Sequence, residues 1–218
     1  MPKDNILTTS LVKFCTTYSK TSDLEEWVAK RFANGITGHC KDRTDMSELR
    51  TCSPDSEVIP NLTTRRNDPR AFNDKAYYSE DGIEQEIDQY GKYLPAGQIL
   101  FFGGTLSTEA TISRPLSTTY CLAIAQYHAN KSRILQSQTN NFDPNSLEGG
   151  EIWVLRVAKD DQIKGFAYPI RKVTDRKFGS HPPDEFEVLL KRGFDVNPVS
   201  RLKENKNYRI HIADLSLD

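Results

Sequence analysis

This chain has no excess of positive or negative charge: 29 lysines and arginines face 30 aspartates and glutamates, a net of -1 over 218 residues. So balanced a composition creates no global field toward nucleic acid or an anionic membrane, and neither is expected as a partner. Cysteine is scarce too. Cys15, Cys40, Cys52 and Cys121 are too few and too scattered for a disulfide scaffold, and reduced thiols are the simplest reading. His39, Cys40 and Cys52 supply metal-ligand types without a Cys-x-x-Cys pair or a fourth ligand at a zinc spacing, so no metal is expected. No apolar run approaches the ~18–20 residues that cross a bilayer, and the start at Met1-Pro2-Lys3-Asp4-Asn5 lacks a signal-peptide core. The expectation is a soluble chain that, if exported, uses a route without a cleaved signal. No Gly-x-Gly-x-x-Gly turn follows a strand and no Gly-Lys-Ser/Thr loop occurs, so any nucleotide must be held another way.

What is present fits one core. Residues 1–218 are read as a single domain burying roughly 70–75% of the unfolded surface, with a monomer as the expected state. The chain changes character near Tyr90, dividing a helical, loop-rich segment (1–90) from a strand-rich core (91–218). In Asp23–Ala33, Leu24, Trp27, Val28 and Phe32 recur at helical spacing, with Thr21 or Ser22 as N-cap. Residues 35–72 are polar and broken by Pro54, Pro60 and Pro69, predicting loops and short helices. A second helix is predicted over Ser79–Tyr90 on the Ile83, Ile87, Tyr90 stripe. Strands are predicted at Gln98–Phe102, Glu151–Val157, Gly165–Pro169, Phe186–Leu190 and Tyr208–Ile212, with one helix, Tyr120–Ala129, among them. Ser137–Gly150 reads as a linker. Helices first and strands afterwards argue for an α+β fold with a mixed sheet rather than a doubly wound one.

The richest stretch is Asp184-Glu185-Phe186-Glu187-Val188-Leu189-Leu190. Alternation puts Glu185 and Glu187 on one face of the strand, with Phe186 and Val188 on the other. Adjacent carboxylates repel, so at least one calls for a hydrogen bond, a raised pKa or a cation beside it. The plain alternative is the solvated face of an edge strand, where charge discourages aggregation. Likewise Ser117-Thr118-Thr119 can cap the helix that follows. Gly103-Gly104 can simply end a strand or let a ligand approach the backbone, and Tyr120, Tyr127 and His128 can be ordinary helix packing.

Taken in order, Leu100-Phe101-Phe102-Gly103-Gly104, Ser117-Thr118-Thr119 before a helix with Ala123, Ala125 and Ala129, and Glu185-Phe186-Glu187 running on to Gly193 resemble the Arg-Ser-Glu class of mono-ADP-ribosyltransferases. Bacterial toxins and effectors are its best-known members. The likeness covers roughly residues 94–194. It implies an ADP-ribosyltransferase-like core that takes NAD as substrate and transfers ADP-ribose to a protein, ubiquitin being one candidate, as an effector would in a host cell. It further implies that Glu187 stabilises the sugar cation, that Glu185 acts on the acceptor as general base, and that Ser117 holds Glu187. Phe102, Gly103, Thr118 and Thr119 would border the NAD. The loop Arg176–Asp184 resembles the turn that selects protein substrates.

One position departs from the class. Where an arginine normally precedes the strand-ending glycine and meets the NAD phosphates, this chain has Phe102, which brings no charge. Either another arginine reaches the pocket, the candidates being Arg114 and the cluster Arg65, Arg66 and Arg70, with Arg114 and Arg70 carried forward, or backbone groups hold the phosphates; a planar guanidinium suits a pyrophosphate. An NAD glycohydrolase and a catalytically silent binding module of the same fold are the alternatives.

Overall fold

The computed structural model describes residues 20–33, 59–67, 78–137, 150–160, 162–168, 187–205 and 208–217. Helices α1 (Thr21–Ala33), α2 (Pro60–Asn67) and α3 (Glu80–Tyr90) precede the sheet. Then come β1 (Lys92–Tyr93), β2 (Ile99–Gly103), β3 (Leu116–Thr119), helix α4 (Leu122–Ser137), β4 (Gly150–Val157), β5 (Lys164–Ala167), β6 (Glu187–Leu190), β7 (Asp195–Asn205) and β8 (Tyr208–Ser216). The sheet has eight strands in the order β1-β5-β6-β3-β2-β4-β8-β7. Only β4 and β8 run parallel; every other pair is antiparallel. This is the expected α+β class with a mixed sheet behind N-terminal helices.

One face of the sheet carries the four helices of the described residues. Leu24 and Val28 of α1 and Ala125 and Ala129 of α4 cluster on Ile99, Phe101, Ile152, Val154, Ile210 and Ile212, and the Trp27 ring stacks on Phe101 at 6.0 Å. At the other end of that face, Leu62 of α2 and Ile83 and Ile87 of α3 cover Phe166 and Leu189. The alternate side chains, including Leu100, Trp153, Leu155, Val188 and Leu190, form a separate core under the segment after β2. Helix α4 lies so close to the sheet that a Cβ at Gly103 would meet the Ala125 carbonyl oxygen at 1.8 Å, and one at Gly150 the Ala129 carbonyl oxygen at 2.6 Å. Gly103 is thus required by helix packing, whatever its value to a ligand.

Helices α1 and α3 follow their apolar stripes. α3 is capped by Ser79, whose Oγ accepts from the Gly82 N–H at 3.0 Å. α1 begins at Thr21 itself, and the Thr21 hydroxyl accepts a hydrogen bond from Arg156 at 3.2 Å instead of capping the helix. The third predicted helix begins at Leu122 rather than Tyr120. Ser117-Thr118-Thr119 is not its cap but strand β3, paired on both edges with β2 and β6; the Thr119 hydroxyl still accepts from the Cys121 N–H at 3.1 Å at the turn into the helix. Strand β7 is not among the predicted strands; its Pro198 is tolerated on an edge strand beside a register shift. Cys121 is buried and forms no disulfide; the other three cysteines and the linker's interior, 138–149, lie outside the described residues. Among the described residues no helix is long and apolar enough to cross a membrane.

Candidate active site

Strand β6 lies inside the sheet, and all four of its residues are buried. A solvated edge face is therefore excluded for Glu187, which is buried on the helix-bearing side. The β3–β6 ladder sets Thr119 opposite Glu187 and Ser117 opposite Leu189, so Ser117 and Glu187 are diagonal neighbours on one face, a spacing that side chains bridge. Ser117 Oγ donates to Glu187 Oε1 at 2.5 Å, a short bond as expected for a hydroxyl on a carboxylate. Two side chains seventy residues apart in the chain are joined by strand register.

The same Glu187 oxygen carries a second partner. Arg65, from α2, places Nη1 2.6 Å from Oε1. The guanidinium lies over the Tyr168 ring, 6.0 Å from its centroid, and makes a long 3.5 Å contact to the phenolic oxygen. Tyr168 in turn donates to the Leu62 carbonyl at 3.1 Å, tying the ring to the helix that bears Arg65. Burial works against the Arg65 charge, but the Glu187 carboxylate and the Tyr168 oxygen outweigh it, and the pKa is raised above its ordinary value. Arg65 is therefore a fixed positive charge.

Helix α2 has little intrinsic reason to form. In Pro-Asn-Leu-Thr-Thr-Arg-Arg-Asn only Leu62 is an aliphatic anchor, and eight residues are marginal alone. Its first turn is held by Glu86 of α3, which accepts from the Asn61 N–H at 2.9 Å, the Asn61 side-chain amide at 2.7 Å and the Leu62 N–H at 2.8 Å. A carboxylate at a helix N-terminus both satisfies free N–H groups and meets the positive end of the dipole. Buried Glu86 thus fixes the helix that delivers Arg65.

Between α2 and α4, above β2, β3 and β6, lies a cleft of about 190 Å³ bordered by Arg65, Gly103, Ser117, His128 and Glu187. For scale, a cavity of ~150 Å³ accepts benzene; this one has room for an aromatic ring and its attachment.

The other residues singled out from the sequence fall as follows. Phe102 borders the cleft, but its ring packs with the core on the opposite face, as alternation with Phe101 and Gly103 requires. An arginine at 102 would point away from Glu187 in this register. Thr118 and Thr119 border the cleft as well, but the Thr118 hydroxyl is spent on the Val188 carbonyl at 2.7 Å. Arg114 is exposed and does not border the cleft; among the described residues the arginine that does is Arg65. Arg70, Glu185 and the loop Arg176–Asp184 lie outside the described residues. Sequence reasoning did not single out Arg65 from its neighbours, and it gave no role to Glu86 or Tyr168.

No protein-family model matches the chain, and no curated protein sequence matches it significantly. Among solved structures, it is similar to the ADP-ribosyltransferase Vis in complex with agmatine, at 12% identity and a TM-score of 0.34, over 93% of this chain and 89% of that one. A second structure of Vis, in complex with an inhibitor called M6, aligns at 11% identity and a TM-score of 0.38, over 94% and 89%. Likenesses of this depth carry no functional argument, and the functional reading rests on the arrangement around Glu187.

Proposed function

We propose that the chain cleaves NAD between nicotinamide and ribose and transfers the ADP-ribose to a side chain of a protein. The observation that carries this reading is a buried carboxylate, Glu187, fixed by the Ser117 hydroxyl at 2.5 Å at the wall of a ring-sized cleft. Departure of nicotinamide with the bonding electron pair leaves positive charge on the ribose, an oxocarbenium-like state of the kind glycoside cleavage passes through. A carboxylate held in place beforehand stabilises that charge without reorganising at the moment of reaction. The acceptor then forms its bond to the anomeric carbon and loses a proton; Glu185 is the proposed base, by resemblance to the transferase class. The cleft offers what the substrate calls for: a carboxylate for the sugar and ring-sized space for nicotinamide.

The test is incubation with labelled NAD and a cell lysate, with ubiquitin added separately as one defined acceptor. A labelled protein band that is lost in Glu187→Gln supports transfer. Free ADP-ribose without a band would reassign the chain as an NAD glycohydrolase, and no consumption of NAD would leave a silent module.

A further inference from the structure

On the reading that Glu187 is the residue that stabilises the sugar cation, we infer that Arg65 is a positioning residue for that carboxylate, and not the missing anchor for the NAD phosphates. Three observations carry this. First, Arg65 Nη1 and Ser117 Oγ converge on the same oxygen, Oε1, at 2.6 and 2.5 Å. The double hold fixes which oxygen remains for a ribose hydroxyl. Second, the guanidinium is itself committed: Tyr168 lies beneath it, tied through its hydroxyl to Leu62 of the same helix, and Glu86 clamps that helix by its first turn. Third, the side chains of Arg65 and Glu187 are only 18% and 10% exposed, so moving Arg65 to a phosphate would leave the carboxylate buried without its cation. Ser117 alone supplies a hydroxyl that can rotate; Arg65 adds a planar, permanently charged donor that cannot change its protonation state.

The experiment separates binding from turnover. NAD affinity is measured by titration calorimetry and NAD consumption by release of nicotinamide, for the wild type, Arg65→Gln, Arg65→Lys, Glu187→Gln and the Arg65→Gln/Glu187→Gln pair, with thermal melts as folding controls. Loss of one charge-assisted hydrogen bond predicts a fall in kcat of about 10–100-fold in Arg65→Gln, with the Kd for NAD changed less than about threefold. Arg65→Lys, which keeps one charged donor, recovers part of kcat. On the Glu187→Gln background the Arg65→Gln change has no further effect on kcat, because the group it positions is gone; a merely structural role would still lower it. If Arg65→Gln does not fold, Arg65→Lys carries the test alone: reduced kcat at unchanged Kd is expected. A Kd raised tenfold or more, in either variant, would make Arg65 a phosphate anchor and overturn the inference. Unchanged kcat in a variant of an active enzyme overturns it while leaving the proposed function intact, whereas a wild type that neither binds nor consumes NAD overturns both.

Discussion

Glu187→Gln perturbs stability and activity by different routes, and the two can be read apart. The amide keeps the size of the side chain but removes the charge facing Arg65 at 2.6 Å. Removing one partner of a buried pair costs ~3–5 kcal/mol when burial is complete. Here the side chains are 18% and 10% exposed, so the lower end applies, about 3 kcal/mol. For a chain of this length that is a fall in Tm of roughly 6–12 °C. Arg65→Gln leaves a carboxylate that still has Ser117, and costs about 2 kcal/mol. The pair Arg65→Gln/Glu187→Gln leaves neither charge behind and returns to within about 1 kcal/mol of the wild type, since a buried pair removed together is near neutral. Turnover does not return, because Glu187→Gln alone costs on the order of 10²–10³-fold. Urea denaturation of the four proteins at neutral pH and moderate salt closes the cycle. A paired variant whose loss equals the sum of the single losses would mean that the two side chains do not interact, and the site as described would be wrong.

Glu86→Ala removes three acceptor contacts from the first turn of α2 and is expected to cost roughly 2 kcal/mol; amide hydrogen exchange at Asn61 and Leu62 should accelerate well ahead of the sheet. Gly103→Ala drives a Cβ to 1.8 Å from a backbone oxygen of α4, which no rotamer relieves, and should cost about 3 kcal/mol or more. Gly193→Ala, at φ 97° with nothing within 4 Å, should cost only the ~1–2 kcal/mol of left-handed strain; comparable melts for the two would refute the close-packing account. His211 gives a pH dependence. Burial, its largest influence, lowers its pKa, helped by Arg201 and Arg209 and opposed by Glu151, and its ring stacks on Trp153 at 4.2 Å. A depressed folded-state pKa means the unfolded chain binds the proton more readily, so this contribution is complete above about pH 6.5 and declines as pH falls below it toward the lowered folded value. His211→Phe keeps a stacking ring, and its Tm should fall less than that of the wild type between about pH 7.5 and about pH 5; parallel curves would refute the assignment.

Much of this arrangement is legible in the sequence where local pattern and burial agree. The stripes Leu24/Val28 and Ile83/Ile87 name their helices, and the runs Ile152–Val157 and Ile99–Phe101 name central strands because both of their faces are buried. Strand β3 is not legible locally. Hydroxyl residues before a helix read as a cap, and only pairing on both edges makes them a strand. Strand β7 is hidden by Pro198, which an edge position excuses. Arg65 is legible only as one arginine of a cluster. Within Arg65-Arg66 nothing distinguishes the two side chains until Glu86 sets the helix, and Glu86 itself read only as a charged residue on α3. That Arg65 meets Glu187 across the cleft is a tertiary fact, set by where Glu86 holds α2.

Register is what the site depends on most. Side chains alternate along β6, so a slip of one residue against β3 would carry Glu187 to the opposite core and bring Val188 to the cleft. That slip is opposed from both faces. On the core side Val188 and Leu190 fill a packed layer with Leu100 and Leu155, and on the helix side Leu189 packs against α2 and α3. Across the ladder the Thr118 hydroxyl holds the Val188 carbonyl at 2.7 Å, a side-chain bond that exists in one register only. Thr118 therefore fixes the strand that carries Glu187. The order Ser117, Thr118, Thr119 divides the labour along three residues: one hydroxyl on the carboxylate, one on the strand, one on the turn into α4.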